Sequence, residues 1–371
     1  MNKPLLEAFL LAVVVTALMT PLCIKIAPKI GAMDIPKDKR RVHKKPIPRF
    51  GGFAIYLGAM SAFVLLRPLS EQYKGIIAAS TIIMLIGVVD DIKGVPAKIK
   101  LLGQMFCAAI LWSSTLRFSG MANFFNFGPE YIVFPGWLSF IVTVFWIVGI
   151  VNTINLMDGL DGLAAGIVLI ASGSIAYIAH YTGRNETCLI ILAVAGACFG
   201  FLLYNFNPAK IFMGDSGSML LGLLLASVSL IGDTQTKSIT LFSATVPVLL
   251  LALPIFDTSF AIIRRTVKHR PIFEADKGHI HHRIMAMGFG QRRTVLALYS
   301  ISAIMGVAGI LWTVKMKAEA GVLALIAGTL TFIFLGIGID ENDKIAELEA
   351  EMMTKGSEQD PEVAKAEAEE Q

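Results

Sequence analysis

"IIAASTIIMLIGVVDDIKG", residues 76–94, joins an almost wholly apolar run to two adjacent carboxylates, Asp90 and Asp91. Apolar runs of roughly 17–25 residues are long enough to cross the hydrocarbon core of a bilayer as a helix. The two carboxylates stand where such a helix would reach water. The stretch therefore predicts a transmembrane helix that ends in an acidic pair at the membrane surface.

Similar apolar runs recur along nearly the whole chain. Of its 371 residues, 55% are hydrophobic and only 16% are charged, whereas soluble globular chains average about 25% charged residues. We therefore expect an all-α, polytopic integral membrane protein. The eleven expected spans are residues 5–27, 51–69, 74–90, 99–117, 136–152, 162–181, 187–204, 216–232, 239–263, 294–314 and 320–339.

Residues 1–340 are expected to form one membrane domain, and residues 341–371 a polar, mostly disordered cytoplasmic tail. The first apolar run is too long for a signal peptide and lacks a small-residue cleavage site, so it is interpreted as a retained span. The four cysteines lie inside apolar runs without paired spacing. They are interpreted as small buried hydrophobes, neither disulfides nor a metal cluster.

Lysine and arginine are concentrated in the loops that follow the odd-numbered spans, above all the first and the ninth. Short cytoplasmic loops of membrane proteins carry this excess of positive charge. The asymmetry alternates as eleven spans require. It predicts an external N-terminus and a cytoplasmic C-terminal tail.

The unusual polar segments all fall on this cytoplasmic side. They are "VHKKPIPRFGG" (42–52), the pair Asp90–Asp91, "VNTINLMDGLDGLAAG" (151–166), "YNFNPAKIFMGDSGSMLLG" (204–222) and "KGHIHHR" (277–283). The opposite loops contain nothing comparable. This segregation predicts one composite site at the cytoplasmic surface of the membrane.

Five aspartates in these segments would repel one another if they were gathered without a counter-charge. They are Asp90, Asp91, Asp158, Asp161 and Asp215. A hard divalent cation such as Mg²⁺, which takes oxygen ligands and often shares them with substrate phosphates, would relieve that repulsion. The alternative is that each aspartate caps a helix, for which Asp161 and Asp215 are good candidates.

Two further segments suit an anionic substrate. "FMGDSGS" (212–218) places backbone N–H groups at the start of a helix, an arrangement that binds phosphate. "HIHHR" (279–283) allows zinc binding, a solvated loop, or contact with phosphate and sugar, and no nearby cysteine completes a zinc site. "FGQRR" (289–293) is interpreted as the positive flank of the tenth span.

A metal, phosphates and an adjoining apolar surface are what an enzyme needs to join a nucleotide-activated group to a lipid phosphate. Such a reaction is a phosphoryl transfer, in which catalysis is mostly positioning and charge neutralisation. A secondary transporter would instead place acidic residues near the bilayer midplane and show internal repeats. A prenyl-diphosphate enzyme favours a third aspartate two residues after the pair, where "DDIKG" has lysine and glycine.

In four segments, residues 1–340 resemble the polyprenyl-phosphate N-acetylhexosamine-1-phosphate transferases of glycosyltransferase family 4 type. The segments are "DDIKG", "NTINLMDGLDGLAAG", "NFNPAKIFMGDSGS" and "HIHHR", in that order. "PIPRFGG" (46–52), "HIHH" and the eleventh span favour the undecaprenyl-phosphate N-acetylglucosamine branch of this family over the muramyl-pentapeptide branch.

The resemblance implies two sets of site residues. The catalytic set is Asp90, Asp91, Asp158, Asp161, Asp215 and His279. The substrate-binding set is Lys45, Arg49, Lys100, Asn152, Asn155, Asn205, Phe212, His281, His282 and Arg283. Asp215 would be the principal ligand of Mg²⁺, or alternatively Mn²⁺, with Asp90 or Asp91 nearby, and that pair would also serve the lipid phosphate.

The resemblance also implies the reaction and the partners. N-acetylglucosamine 1-phosphate would pass from UDP-N-acetylglucosamine to undecaprenyl phosphate, releasing UMP, as the first membrane step of a cell-envelope polysaccharide such as teichoic acid or O-antigen. UDP-N-acetylmuramoyl-pentapeptide is the alternative donor. We expect a homodimer among the lipids of a bacterial plasma membrane, with no nucleic-acid partner.

Overall fold

The computed structural model describes residues 3–35, 45–66, 71–122, 131–231, 248–267 and 278–336. These residues form twelve α-helices. They are α1 (Lys3–Ile30), α2 (Gly51–Leu66), α3 (Glu71–Lys93), α4 (Ala97–Ser113), α5 (Gly136–Met157), α6 (Leu163–Tyr181), α7 (Asn185–Asn205), α8 (Gly214–Leu230), α9 (Ala252–Val267), α10 (Ile280–Ala286), α11 (Gln291–Thr313) and α12 (Lys317–Gly336).

Two short antiparallel strand pairs accompany the helices. β1 (Met33–Asp34) pairs with β2 (Ile47–Pro48), and β3 (Gly120–Ala122) pairs with β4 (Tyr131–Val133). The predicted tail, 341–371, and the basic residues of 36–44 and 268–277 lie outside the described residues. The predictions about them therefore stay predictions.

The helices confirm an all-α, polytopic integral membrane protein. Seven of the described helices are long and apolar enough to cross a bilayer, namely α1, α3, α5, α6, α7, α11 and α12. The described residues of the other four expected spans overlap helices of 16 or 17 residues: α2, α4, α8 and α9. Residues 67–69 and 239–247 of these spans lie outside the described residues. The count of eleven spans thus stays a prediction.

α1 has one side that packs against other helices and one side that is exposed. Its small residues recur every three or four positions and are buried against α2 and α7: Ala8, Ala12, Thr16, Thr20, Cys23 and Ala27. Its large apolar residues on the other side are exposed: Leu6, Leu10, Val14, Leu18 and Leu22. Small residues let helix backbones approach closely in a membrane, where van der Waals packing drives association.

α8 lies at the centre of the bundle. All of its residues from Gly214 to Leu230 are buried, because α2, α3, α5, α6 and α7 pack around it. A helix that is apolar on every side is typical of such a position. The central place of α8 means that its first turn, which carries Asp215, meets the ends of several other helices.

α10 is a short helix in a segment for which the sequence predicted none. Ile280 and Ile284 are fully buried in a cluster with Met157, Leu160 and Leu163 from the turn between α5 and α6. Apolar residues four positions apart lie on one face of a helix. This packing fixes the histidine-rich segment beside the "DGLDG" turn.

Candidate active site

Helix ends from the centre of the bundle meet on one side of the protein. α3, α5 and α7 end there, and α4, α6 and α8 begin there. The pair Asp90–Asp91 stands in the last turn of α3, Asp158 directly follows α5, and Asp215 stands in the first turn of α8. The predicted polar segments are therefore brought to one face.

Asp91 joins the end of α3 to the beginning of α8. Its carboxylate accepts hydrogen bonds from the backbone N–H groups of Asp215 (2.8 Å) and Ser216 (3.1 Å) and from Ser216 Oγ (2.6 Å). The side chain has no solvent-exposed surface, and Arg49 Nε lies 3.0 Å from Oδ1. Asp91 thus caps α8 from another helix, satisfying N–H groups that have no partner within α8.

Two basic side chains neutralise most of the charge around Asp215. Arg49 contacts Asp215 Oδ1 and Asp91, and Lys100 Nζ lies 2.8 Å from Asp215 Oδ2 and 3.4 Å from Asp90. Three carboxylates facing two cations leave one negative charge. Burial lowers the pKa of Arg49, but its acidic neighbours, Asp91 first among them, outweigh that effect and raise the pKa above its usual value.

Arg49 is held in place by backbone hydrogen bonds between two loops. Phe212 N–H donates to the carbonyl of Pro48 (2.8 Å), and Gly51 N–H donates to the carbonyl of Phe212 (2.9 Å). The "PIPRFGG" segment is thereby fastened to the segment that leads into α8. Lys45, at the beginning of this loop, is exposed and does not line the adjacent cavity.

A cavity of about 510 Å³ opens beside Asp215. Its volume falls within the range of about 300–1,000 Å³ that is usual for small-molecule sites. The predicted site residues that line it are Arg49, Asn155, Asp158, Asp161, Asn205, Phe212, Asp215 and His282. Further lining residues include Asp34, Asn207, Ser218 and Gln291. The paired side chains of Arg49 and Asp215 form the charged end of this lining, and amides, ring side chains and three further aspartates form the rest.

Asp158 has an unusual acidity among the lining residues. Burial raises its pKa to about 7, although Arg49 opposes the shift and Asp215 adds to it. At neutral pH the carboxyl group is therefore divided between its charged and its neutral form. Close by, Asn155 Nδ2 donates a hydrogen bond to Ser218 Oγ (2.8 Å), which ties the end of α5 to α8.

Asp161 holds a loop at the rim of the cavity. Its Oδ2 accepts hydrogen bonds from Asn207 Nδ2 (2.9 Å) and Ala209 N–H (3.0 Å). Asn207 Nδ2 also donates to Gln291 Oε1 (2.6 Å), and Arg292 Nε donates to the carbonyl of Asn207 (3.0 Å). The "FGQRR" segment thus does more than flank a span, because it contributes Gln291 to the cavity wall.

Asn205 and Asn152 have different surroundings, although both were predicted to bind substrate. Asn205 is buried and lines the cavity, accepting a hydrogen bond from Gly162 N–H (3.0 Å) and donating one to the carbonyl of Ile211 (2.8 Å). Asn152 instead donates to Gln104 Oε1 (2.6 Å) and does not line the cavity.

The side chains of the "HIHHR" segment have different surroundings. His282 lines the cavity, whereas His279 and His281 are buried and do not line it. Burial lowers the pKa of His281 to about 3, so its ring is neutral at physiological pH. Arg283, predicted to contact the diphosphate, is buried and donates to the carbonyls of Gly278 (2.9 Å) and Leu335. It does not line the cavity either.

A carboxylate that the sequence analysis missed, Asp257 in α9, faces this segment. Its Oδ2 lies 2.9 Å from His279 Nδ1, and its Oδ1 accepts a hydrogen bond from Ile280 N–H (2.8 Å). Acidic residues inside apolar helices are costly unless they are paired. The single aspartate within the apolar stretch "ALPIFDTSF" (252–260) therefore indicates an acidic residue with a buried partner.

The donor atoms at the charged end fit a hard cation. Asp90, Asp91 and Asp215 each offer a carboxylate oxygen, and the three oxygens lie within 4.8 Å of one another. Magnesium prefers such oxygen donors and is often held by one or two carboxylates together with substrate phosphates. All three carboxylates have partners within the protein, but the side chains of Asp215 and Asp90 keep some exposed surface, whereas that of Asp91 has none.

Known proteins are similar to this chain over most of its length. A probable undecaprenyl-phosphate N-acetylglucosaminyl 1-phosphate transferase of Bacillus subtilis is 41% identical, over 89% of this chain and 90% of the relative. A decaprenyl-phosphate N-acetylglucosaminephosphotransferase of Mycobacterium tuberculosis is 36% identical, over 78% of each chain. A phospho-N-acetylmuramoyl-pentapeptide-transferase of Listeria welshimeri is 30% identical, over 81% of this chain and 95% of the relative.

The match to the family model covers the centre of the bundle. Residues 73–233 match the model of glycosyl transferase family 4. This range contains α4 to α8, all but the first two residues of α3, and every aspartate that the sequence predicted for the site. The chain belongs to glycosyl transferase family 4.

Proposed function

We propose that the chain transfers N-acetylglucosamine 1-phosphate from UDP-N-acetylglucosamine to undecaprenyl phosphate. The products are undecaprenyl-diphospho-N-acetylglucosamine and UMP. The observation that carries the proposal is the grouping of Asp90, Asp91 and Asp215 with Arg49 and Lys100 beside a nucleotide-sized cavity. The names of the relatives from Bacillus and Mycobacterium support N-acetylglucosamine as the sugar.

The charge distribution suggests how the donor lies in the cavity. Its diphosphate belongs at the end beside Arg49 and Asp215, where a bound divalent cation would supply the positive charge. The uridine and the sugar then extend along the remaining wall. That wall is formed by Phe212, Asn155, Asp158, Asn205 and His282.

The reaction is an in-line displacement at the β-phosphorus of the donor. An oxygen of the lipid phosphate forms the new P–O bond, the bond from the β-phosphorus to the bridging oxygen breaks, and UMP leaves with that oxygen. Lys100, paired with both Asp90 and Asp215, lies where it can orient the attacking phosphate. Asp90 accepts the proton if the lipid phosphate arrives protonated. We favour direct attack over an aspartyl intermediate, because nothing in the site requires a covalent step.

Asp215 and Asp90, with Asp91 behind them, would hold Mg²⁺ or Mn²⁺. When bound, the ion supplies charge neutralisation for the diphosphate and for the leaving UMP. The basic side chains remain necessary, since they fix the three carboxylates in one geometry. Catalysis of phosphoryl transfer depends on such positioning more than on covalent chemistry.

The site faces the cytoplasm in this proposal. Positive charge in the loops after the odd-numbered spans supports that orientation, with the N-terminus outside and the tail inside. The enzyme would be a homodimer in a bacterial plasma membrane, among membrane lipids. Its product would begin a cell-envelope polysaccharide such as teichoic acid or O-antigen.

The test uses the purified full chain in detergent with undecaprenyl phosphate and Mg²⁺. We expect UMP release with UDP-N-acetylglucosamine and none with UDP-N-acetylmuramoyl-pentapeptide. The reverse preference would assign the chain to the chemistry named for its Listeria relative. Failure of both donors would contradict the proposed reaction.

A further inference from the structure

Asp257 is an acidic residue with no place in the reaction described above. It is 2% exposed and stands in the apolar helix α9. Both of its oxygens are used, one by His279 Nδ1 and the other by Ile280 N–H. Burying an ionised carboxylate is costly unless hydrogen bonds compensate it, so these two contacts account for its burial.

The three histidine rings form a row that leads from Asp257 to the cavity. The rings of His279 and His281 are stacked, with centroids 5.8 Å apart and an interplanar angle of 6°. The centroid of His281 lies 4.3 Å from that of His282, which lines the cavity. His281 also packs against Gly159, where a Cβ atom would come within 2.6 Å of Nε2. A displacement of His279 would therefore be transmitted to the cavity wall.

We propose that Asp257 is a positioning residue that fixes the start of α10 and the orientation of His279, and thereby holds His282 in the wall of the donor cavity. An ionised carboxylate only accepts hydrogen bonds. A carboxylate at Asp257 would hold His279 with its proton on Nδ1, and the ring cannot turn over without losing this contact. The identity of the donor rests on the proposed function; the positioning itself rests on the contacts of α9 and α10.

Asp257→Asn separates the two contacts. Its carbonyl oxygen can still accept from Ile280 N–H, but its amide N–H₂ can pair with His279 only if the ring moves its proton from Nδ1 to Nε2. In metal sites, loss of the carboxylate that orients a ligand histidine costs about 10- to 100-fold, and we take the same range for this oriented histidine. We expect binding of UDP-N-acetylglucosamine, measured by calorimetry without lipid acceptor, to weaken by that factor. Glu186→Gln, an exposed acid at the start of α7, is the control.

A structural defect alone would act on both substrates, so the two KM values distinguish the roles. We expect the KM for the donor to rise in Asp257→Asn, while the KM for undecaprenyl phosphate stays within about twofold, the usual limit for independent sites. In the double variant that combines Asp257→Asn with His282→Asn, donor binding should be no weaker than in His282→Asn alone. If the two substitutions together weaken donor binding by the product of their separate effects, the proposal is overturned. Equal increases in both KM values would also overturn it.

If Asp257→Asn does not fold, Asp257→Glu provides the same test, because it keeps the charge and displaces it by one methylene group. Failure of both variants to fold would contradict a role confined to the donor cavity. A wild-type chain that does not bind UDP-N-acetylglucosamine would refute the proposed donor. A wild-type chain that binds it, beside an unaffected Asp257→Asn, would refute the positioning role alone.

Discussion

Gly214 lies directly against the carboxylate of Asp91, so that a Cβ atom at position 214 would overlap both carboxylate oxygens. The residue also has a φ of +70°, in the left-handed region that favours glycine. Both properties come from one requirement. The backbone must turn sharply into α8 while its first N–H groups receive the carboxylate of Asp91.

Gly214→Ala is therefore expected to displace Asp91 and, with it, Arg49 and Asp215. We predict a loss of transfer of at least about 100-fold, equivalent to roughly 2.7 kcal/mol in the transition state. Gly183→Ala is the matched control, since Gly183 has a φ of +75° and a Cβ atom added there would meet no atom within 4 Å. The backbone strain of about 1–3 kcal/mol is shared by both variants, so equal activities would show that the contact with Asp91 is unimportant.

Arg49→Lys tests whether the forked guanidinium is needed to join two carboxylates. Arg49 contacts Asp91 and Asp215 together, whereas a lysine ammonium is a single point charge and does not reproduce a two-pronged contact. We predict a loss of about 10- to 100-fold in kcat/KM, or roughly 1.4–2.7 kcal/mol. Arg293→Lys, at an exposed position, should have no effect, and an Arg49→Lys enzyme as active as the wild type would rule out this role.

Asp158 should make the stability of the purified protein depend on pH. Its pKa is raised to about 7 in the folded protein, against about 3.9 in an unfolded chain. Between these values the folded state binds more protons, so stability falls as pH rises from about 4 to 7 and is level above that. Thermal unfolding across this range should show the decline in the wild type and a weaker one in Asp158→Asn. Identical pH profiles would refute the shifted acidity.

Asp215→Asn tests the most heavily contacted carboxylate of the site. The variant keeps the size of the side chain but removes the charge that faces Arg49, Lys100 and any bound cation. We predict transfer below about 1% of the wild-type rate, a change of at least about 2.7 kcal/mol, with the elution profile unchanged. Glu186→Gln serves as the neutral comparison. Substantial Mg²⁺-dependent activity in Asp215→Asn would refute its assignment as a metal ligand.

The membrane fold follows from the sequence because apolar run length and loop charge are local properties. Span ends at residues 90, 152 and 204 already place the acidic and amide segments on one side, as the helices confirm. The residues at which single helices end were less predictable. α5 continues to Met157, five residues beyond the expected end, and Met157 is buried in one cluster with Ile280 and Ile284 of α10.

Partners across long sequence separations could not be predicted. Arg49 and Asp215 are 166 positions apart, and only the packing of two loops brings them together. Asn152 and Asn155 share a motif, yet Asn152 bonds to Gln104 whereas Asn155 reaches the cavity. Residues three positions apart lie almost one full turn apart along the helix axis. Asn152 therefore lies about one turn further from the cavity than Asn155 does.

The most direct test follows the β-phosphate of the donor. UDP-N-acetylglucosamine carrying a radioactive β-phosphorus is incubated with undecaprenyl phosphate, Mg²⁺ and the purified full chain. We predict that the label moves to the lipid fraction with the sugar, and that unlabelled UMP is released in equal amount. Label that stays in the aqueous nucleotide as UDP while sugar reaches the lipid would show sugar transfer without its phosphate, and would contradict the proposed reaction.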